Sequence, residues 1–92
     1  AMVAPVTVYS TPTCPWCDRA KDYLRENNVA FVEKDVASDY NAAMEMVRRT
    51  GQQGVPVIAT QDEVILGFDQ PRLARLVQKL SEPKRPPLGL LG

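Results

Sequence analysis

Cys14 and Cys17, separated by Pro15 and Trp16, stand at a corner between a strand-like run and a helix-like run. That placement constrains the fold more than any other feature of the chain. Upstream, Val6-Thr7-Val8-Tyr9 is β-branched and aromatic and stops at the cluster Ser10-Thr11-Pro12-Thr13, which predicts a short buried strand. Downstream, Pro15 suits a first helical position, where its fixed φ and missing N–H cost nothing. Cys17, Ala20 and Leu24 then recur at helical spacing, with Tyr23 and Asn27 beside them, down to Asn27-Asn28. A second strand is predicted over 30–36. Ser38 or Asp39 can cap a second helix in which Ala43, Met46, Val47 and Thr50 share a face, ending at Gly51. Val55-Pro56-Val57-Ile58-Ala59 reads as a third strand, and Gln61-Asp62 turns it into a fourth, Val64-Ile65-Leu66. Asp69 caps the last helix, where Leu73, Leu76, Val77 and Leu80 follow the i, i+3, i+4, i+7 rule.

The predicted order is therefore β-α-β-α-β-β-α, an α/β fold with a four-stranded mixed sheet flanked by three helices. The first βαβ unit should be a parallel, right-handed crossover and the closing hairpin antiparallel. Residues 1–80 make one domain, since 92 residues leave no room for a second core. From Ser81 the pattern stops, and Glu82-Pro83-Lys84-Arg85-Pro86-Pro87 reads as the start of a solvated, extended tail over 81–92.

Composition removes several function classes. Eleven basic and eleven acidic residues give zero net charge, which argues against nucleic acid or an anionic membrane surface as the main partner. There is no histidine, so imidazole-based catalysis, zinc-protease chemistry and histidine pH switching are excluded within this chain. Two cysteines cannot build a four-cysteine zinc site, so no metal site is expected within one copy. No apolar stretch approaches the roughly 18 residues of a membrane span. Residues 1–5 lack the charged and apolar regions of a signal peptide, and the chain is read as cytoplasmic. A neutral surface on this fold suits a monomer.

The spacing of the cysteines carries the chemistry. Cys14 is placed at a helix N-terminus, where unpaired N–H groups and the positive end of the dipole favour a thiolate. Cys17 lies one turn in, more shielded and close enough to pair with Cys14. Cys14 is thus the candidate nucleophile and Cys17 the candidate resolving thiol, with a Cys14–Cys17 disulfide as the oxidised form. Half a zinc site completed by a second chain, and an inert structural pair, are the competing readings of the motif alone. The strand-then-helix context weighs toward redox chemistry. If the Val55–Pro56 bond is cis, the Val55 N–H and C=O face outward and can pair with an extended thiol substrate, as an added strand would. Tyr9 is read as core, Lys21 as solvated, Met44 and Met46 as helix packing. Arg48-Arg49 is read as a charge match to the negative end of the second helix.

The run from Val8 to Cys17, followed by Arg19-Ala20-Lys21, Gly54-Val55-Pro56-Val57-Ile58 and Leu66-Gly67-Phe68-Asp69, resembles the glutaredoxin family over about residues 6 to 80. The likeness is to small bacterial and archaeal glutaredoxin-like proteins, near the redoxins that feed ribonucleotide reductase. The resemblance implies a thioredoxin-like fold, a Cys14/Cys17 dithiol cycle and a cis Pro56. It also implies a substrate and glutathione groove formed by Thr11, Thr13, Pro15 and Trp16 on the Cys14 loop, by Gln52, Val55 and Pro56, and by Gly67, Phe68 and Asp69. The implied activity is reduction of protein disulfides or glutathione mixed disulfides, with glutathione as co-substrate and no tightly bound cofactor.

Thr11 departs from the pattern, because glutaredoxins usually carry a lysine there for the glutathione carboxylate. Gln52 stands where the family places Arg or Gln, and one glycine of the usual pair after the fourth strand is missing. Losing one charge-assisted contact costs roughly 1.5–3 kcal/mol. Gly67-Phe68 is similar to redoxins that take electrons from thioredoxin reductase, which makes that enzyme the alternative donor. The expected reduction potential lies between about −200 and −270 mV. The competing function class is a binding module: a glutathione-assisted iron–sulfur carrier or metal-bridged dimer using Cys14 from two chains. Pro15 and the neighbouring Cys17 weigh against it. A docking protein whose redox activity is incidental is the third reading.

Overall fold

The computed structural model describes residues 6–81. The order is β1 (Val6–Ser10), α1 (Pro15–Glu26), β2 (Phe31–Asp35), α2 (Tyr40–Thr50), β3 (Val57–Ala59), β4 (Val64–Leu66) and α3 (Gln70–Ser81). This is the expected β-α-β-α-β-β-α succession. Ser81, expected to open the extended tail over 81–92, is instead the last residue of α3, and 82–92 lie outside the described residues. The strands form one mixed sheet ordered β2-β1-β3-β4. β1 pairs in parallel with β2, with Val6 opposite Phe31 and Ser10 opposite Asp35. It pairs antiparallel with β3, and β3 with β4.

Alternation along β1 sends its side chains to both faces of the sheet, and both faces are covered. Val6 and Val8 point into the larger core with Ile58, Ile65, Ala20 and Leu24 of α1, and Leu73 and Leu76 of α3. Tyr9 points to the other face, where it meets Met46 of α2 with Val57 and Ala59. Helices α1 and α3 therefore share one face and α2 covers the other.

The helix ends follow from their local chemistry. The Asp39 carboxylate accepts the Ala42 N–H at 3.0 Å and caps α2, so of the two expected capping residues it is Asp39 that acts. Gly51 closes α2 at φ 71°, a left-handed conformation that glycine adopts without penalty. On α2 the deeply buried residues are Ala42 and Met46. Ala43 and Val47, expected on the core face, are half-buried beside them. β3 starts at Val57, after Pro56, because a proline has no N–H for the ladder.

Two polar clamps tie helices to strands. The Tyr9 hydroxyl donates to Glu45 of α2, and Lys34 of β2 holds the same carboxylate at 2.9 Å. On the opposite face, Lys21 of α1 lies 2.7 Å from Glu33 of β2, and the Ser10 hydroxyl donates to the same oxygen at 2.9 Å. Lys21 is thus not the solvated residue the helix pattern suggested. Its side chain is only 13% exposed, because its nearer partner, Glu33, comes from a strand, with Asp18 of its own helix farther off at 3.5 Å.

Hydrogen bonds from Lys21 and Ser10 hold the Glu33 carboxyl below its ordinary value, and those from Tyr9 and Lys34 do the same for Glu45. A depressed native value means stabilisation that is present above the unfolded value of 4.5 and lost as pH falls through the native one. Melting curves should therefore fall as the solution is acidified below pH 4.5. Glu45→Gln should reduce that acid-side fall and cost roughly 0.5–1 kcal/mol at neutral pH, a small effect because the pair is partly exposed. An unchanged acid limb in Glu45→Gln would show that the clamp contributes nothing.

Candidate active site

Cys14 is the N-cap of α1, with φ −107° and ψ 106°, and Pro15 follows at the first helical position. Its sulfur does what a serine or aspartate oxygen does at other N-caps: Sγ accepts the Cys17 N–H at 3.1 Å. That N–H is placed to stabilise negative charge on the sulfur. Cys14 is half-buried, whereas Cys17 is fully buried, and both are free thiols.

Burial dominates the Cys17 thiol. It is pushed up to about 11, first by loss of solvent and next by its hydrogen bond with Cys14. A backbone hydrogen bond from Thr11 and the positive charge of Lys21 pull the other way. The two sulfurs, alike in sequence, thus differ in environment: one reachable from outside, one held protonated inside.

The Val55–Pro56 bond is cis, as the family resemblance implies, and Pro56 is buried. Among the described residues the Val55 N–H and C=O form no hydrogen bond. The Gly67 N–H donates to the Pro56 carbonyl at 2.8 Å, which joins the turn after β4 to the proline loop. Gly67 makes that turn at φ 75°, again in the left-handed region.

Trp16 is half exposed, at 53%, on the rim beside Cys14. Phe68 stacks on it with ring centroids 6.1 Å apart, and meets Tyr23 edge-on at 6.2 Å. Phe68 is therefore both a filler beneath the turn, packed against the larger core, and the support of the exposed indole. The Arg19 guanidinium lies 4.8 Å from the Trp16 ring, a cation–π contact with no signal in the motif itself.

The remaining expected residues are placed less simply. Thr11 is half-buried and gives its backbone to Cys17, while Thr13 is exposed. Gln52 turns back on its own loop: its Oε1 accepts the Gly54 N–H at 2.6 Å and its Nε2 donates to the Gly54 carbonyl at 3.1 Å. The close approach uses the missing side chain of Gly54, whose added Cβ would lie 2.7 Å from that Oε1. Asp69 caps α3 by accepting the Arg72 N–H at 3.2 Å, and also pairs with the Arg72 side chain at 3.4 Å. Gln52 and Asp69, two of the residues expected in the glutathione groove, are thus engaged within the chain. Among the described residues no group of three His, Cys, Asp or Glu is placed to hold a metal ion.

A mixed sheet with a dithiol at the first strand-to-helix corner and a cis proline loop is a thioredoxin-like oxidoreductase fold. The glutaredoxin of Archaeoglobus fulgidus superposes with a TM-score of 0.76 at 25% identity, covering 83% of this chain and 88% of that one. The Glutaredoxin family model matches residues 6–65. A glutaredoxin-like 8.6 kDa protein of the rubredoxin operon of Clostridium pasteurianum is 42% identical over 80% of this chain and 99% of its own length. Glutaredoxin 3 of Escherichia coli K12 is 36% identical over 73% of this chain and 81% of its own. The chain belongs to the glutaredoxin family and is a thiol–disulfide oxidoreductase.

The raised Cys17 value has a thermodynamic consequence. A thiol titrates near 9.0 when unfolded and near 11 here, so in that window the unfolded chain releases a proton that the native one keeps. Stability of the reduced protein should therefore fall as pH rises from 9.0 to about 11. Denaturant midpoints compared with Cys17→Ala isolate the contribution: the variant should lose less over the window, and parallel curves would contradict the burial argument.

Proposed function

We propose that the protein reduces disulfides or glutathione mixed disulfides through a Cys14/Cys17 dithiol cycle. The observation that carries this reading is the unequal exposure of two sulfurs joined by the Cys17 N–H to Cys14 Sγ contact. Cys14, the reachable sulfur, attacks a substrate disulfide and expels one thiolate, leaving a mixed disulfide on Cys14. Cys17 then gives up its proton and attacks Cys14 Sγ, so that the substrate sulfur leaves reduced and a Cys14–Cys17 disulfide remains. An external reductant supplies two electrons to restore the dithiol. Burial of Cys17 suits this order, because a sulfur shielded from solvent reacts with the neighbour at one helical turn and not with passing substrates.

The unpaired Val55 N–H and C=O are the contacts we assign to an extended thiol substrate such as the glutathione backbone. Family membership supports glutathione as the co-substrate. Thr11 supplies no charge, and Gln52 and Asp69 are already engaged with Gly54 and Arg72, so the backbone pair has to carry most of the recognition. Thioredoxin reductase remains the second donor, favoured by the Trp16–Phe68 stack as an aromatic face beside Cys14. The proposed setting is a reducing, cytoplasmic one, which fits a free dithiol.

The test is NADPH consumption with a mixed-disulfide substrate, one arm with glutathione and glutathione reductase, the other with thioredoxin reductase alone. Turnover in the first arm is expected, and turnover only in the second would assign the other donor. Cys14→Ser should abolish turnover, and Cys17→Ser should accumulate mixed disulfide detectable by intact mass. Full activity of Cys14→Ser would sink the mechanism.

A further inference from the structure

The Lys21–Glu33 ion pair has no part in the cycle described so far. Lys21 stands four residues after Cys17 on α1, so the two share a helix face. A long side chain on a helix leans back over the preceding turn, which carries the Lys21 stem toward Cys17. The lysine is not free to swing out. Glu33 of β2 holds its ammonium at 2.7 Å, Asp18 lies at 3.5 Å, and the Ser10 hydroxyl fixes the glutamate from the end of β1 at 2.9 Å. Ser10 is 1% exposed and Cys17 has no exposed surface, and the Lys21 side chain between them and solvent is 13% exposed, whereas its partner Glu33 is 41% exposed and faces water.

We propose that Lys21, clamped by Glu33 and Ser10, is a positioning residue that lowers the free energy of the Cys17 thiolate in the resolving step. This rests on the resolving role assigned to Cys17 above. The Cys17 S–H bond breaks and its proton passes to solvent. The thiolate forms a bond to Cys14 Sγ, the bond from Cys14 to the substrate sulfur breaks, and that sulfur leaves with the electron pair and takes up a proton. Both cysteines end oxidised and the substrate reduced.

The need for such a charge is plain from burial. Loss of solvent is the largest cause that disfavours the Cys17 thiolate, and it persists when Cys14 is tied up in a mixed disulfide. Desolvation and Cys14 oppose ionisation, and the Lys21 charge favours it. The titratable groups around the resolving sulfur are Cys14 on the loop, Lys21 and Asp18 on α1, and Glu33 on β2. Asp69 and Arg72 at the start of α3 pair with each other. Fixing the lysine on a strand also keeps its position when the Cys14 loop takes on a substrate.

The experiment uses Ellman's reagent with the reduced protein in a stopped-flow instrument. Attack by Cys14 releases a first thionitrobenzoate, and attack by Cys17 on the resulting mixed disulfide releases a second. Lys21→Met and Lys21→Gln should slow the second release about tenfold at neutral pH and move its pH midpoint up by about one unit. The first release should stay at the wild-type rate, and far-UV circular dichroism with a thermal melt reports that the variant is folded. Lys21→Arg should keep most of the second rate. A second release with unchanged rate and midpoint in both Lys21→Met and Lys21→Gln overturns the proposal while leaving the dithiol cycle intact. If wild-type protein shows no second release, the resolving role itself fails and the proposal falls with it.

Discussion

Strand β1 is hydrogen-bonded on both edges and buried on both faces, and the geometry of the site depends on it. Val6, Val8, Tyr9 and Ser10 have almost no exposed surface. A strand fixed in this way delivers the following loop, Thr11 to Cys14, to one place. Helix α1 is fixed equally well, through Ala20 and Leu24 in the larger core. Cys14 is where these two rigid elements meet, so the position of its sulfur follows from packing on both sides and needs little from the loop itself.

The same packing makes the two sulfurs unequal. One helical turn separates them, yet the turn carries the chain from the rim into the core. A dithiol reductant needs this asymmetry. An attacking sulfur has to be reached by large substrates, and a resolving sulfur has to be kept from them. Burial provides the protection at the expense of reactivity, since a buried thiol resists ionisation. The polar groups gathered behind Cys17, from the Thr11 backbone to the Lys21 charge, act against that penalty. The proline loop and the Gly67 turn are tied to each other by one backbone hydrogen bond.

Much of this was legible in the residues. Cys17, Ala20 and Leu24 were read as one face of α1 and are its three buried residues, because an amphipathic helix writes its period into its composition. Asp39, Gly51 and Asp69 were read as helix boundaries from capping chemistry that is local to a few residues. On α2 the reading chose Ala43 where Ala42 is the deeply buried one. Two adjacent alanines offer no difference in side chain to decide between them, and only the position of the helix on the sheet does. Lys21 was read as solvated because nothing near it in the chain announces Glu33, which is twelve residues away on a strand. The Tyr9 hydroxyl finds its acceptor thirty-six residues away on α2. Gln52, assigned to a ligand by its place in the motif, spends its amide on Gly54 because the loop folds tightly enough to bring them together.

By itself, then, the sequence determined the succession of elements, the placement of Cys14 at a helix start with Cys17 one turn in, and the class of chemistry two such thiols can perform. These are decided by interactions within a turn or two of chain, where side-chain shape, capping and periodicity act directly. The tertiary structure alone decided which charges sit near Cys17, which aromatic ring supports Trp16, and which of the expected ligand contacts are already engaged. Those depend on strands and helices distant in the chain closing on one another, and the free energy of such contacts is set by burial that no single segment possesses before the sheet is assembled.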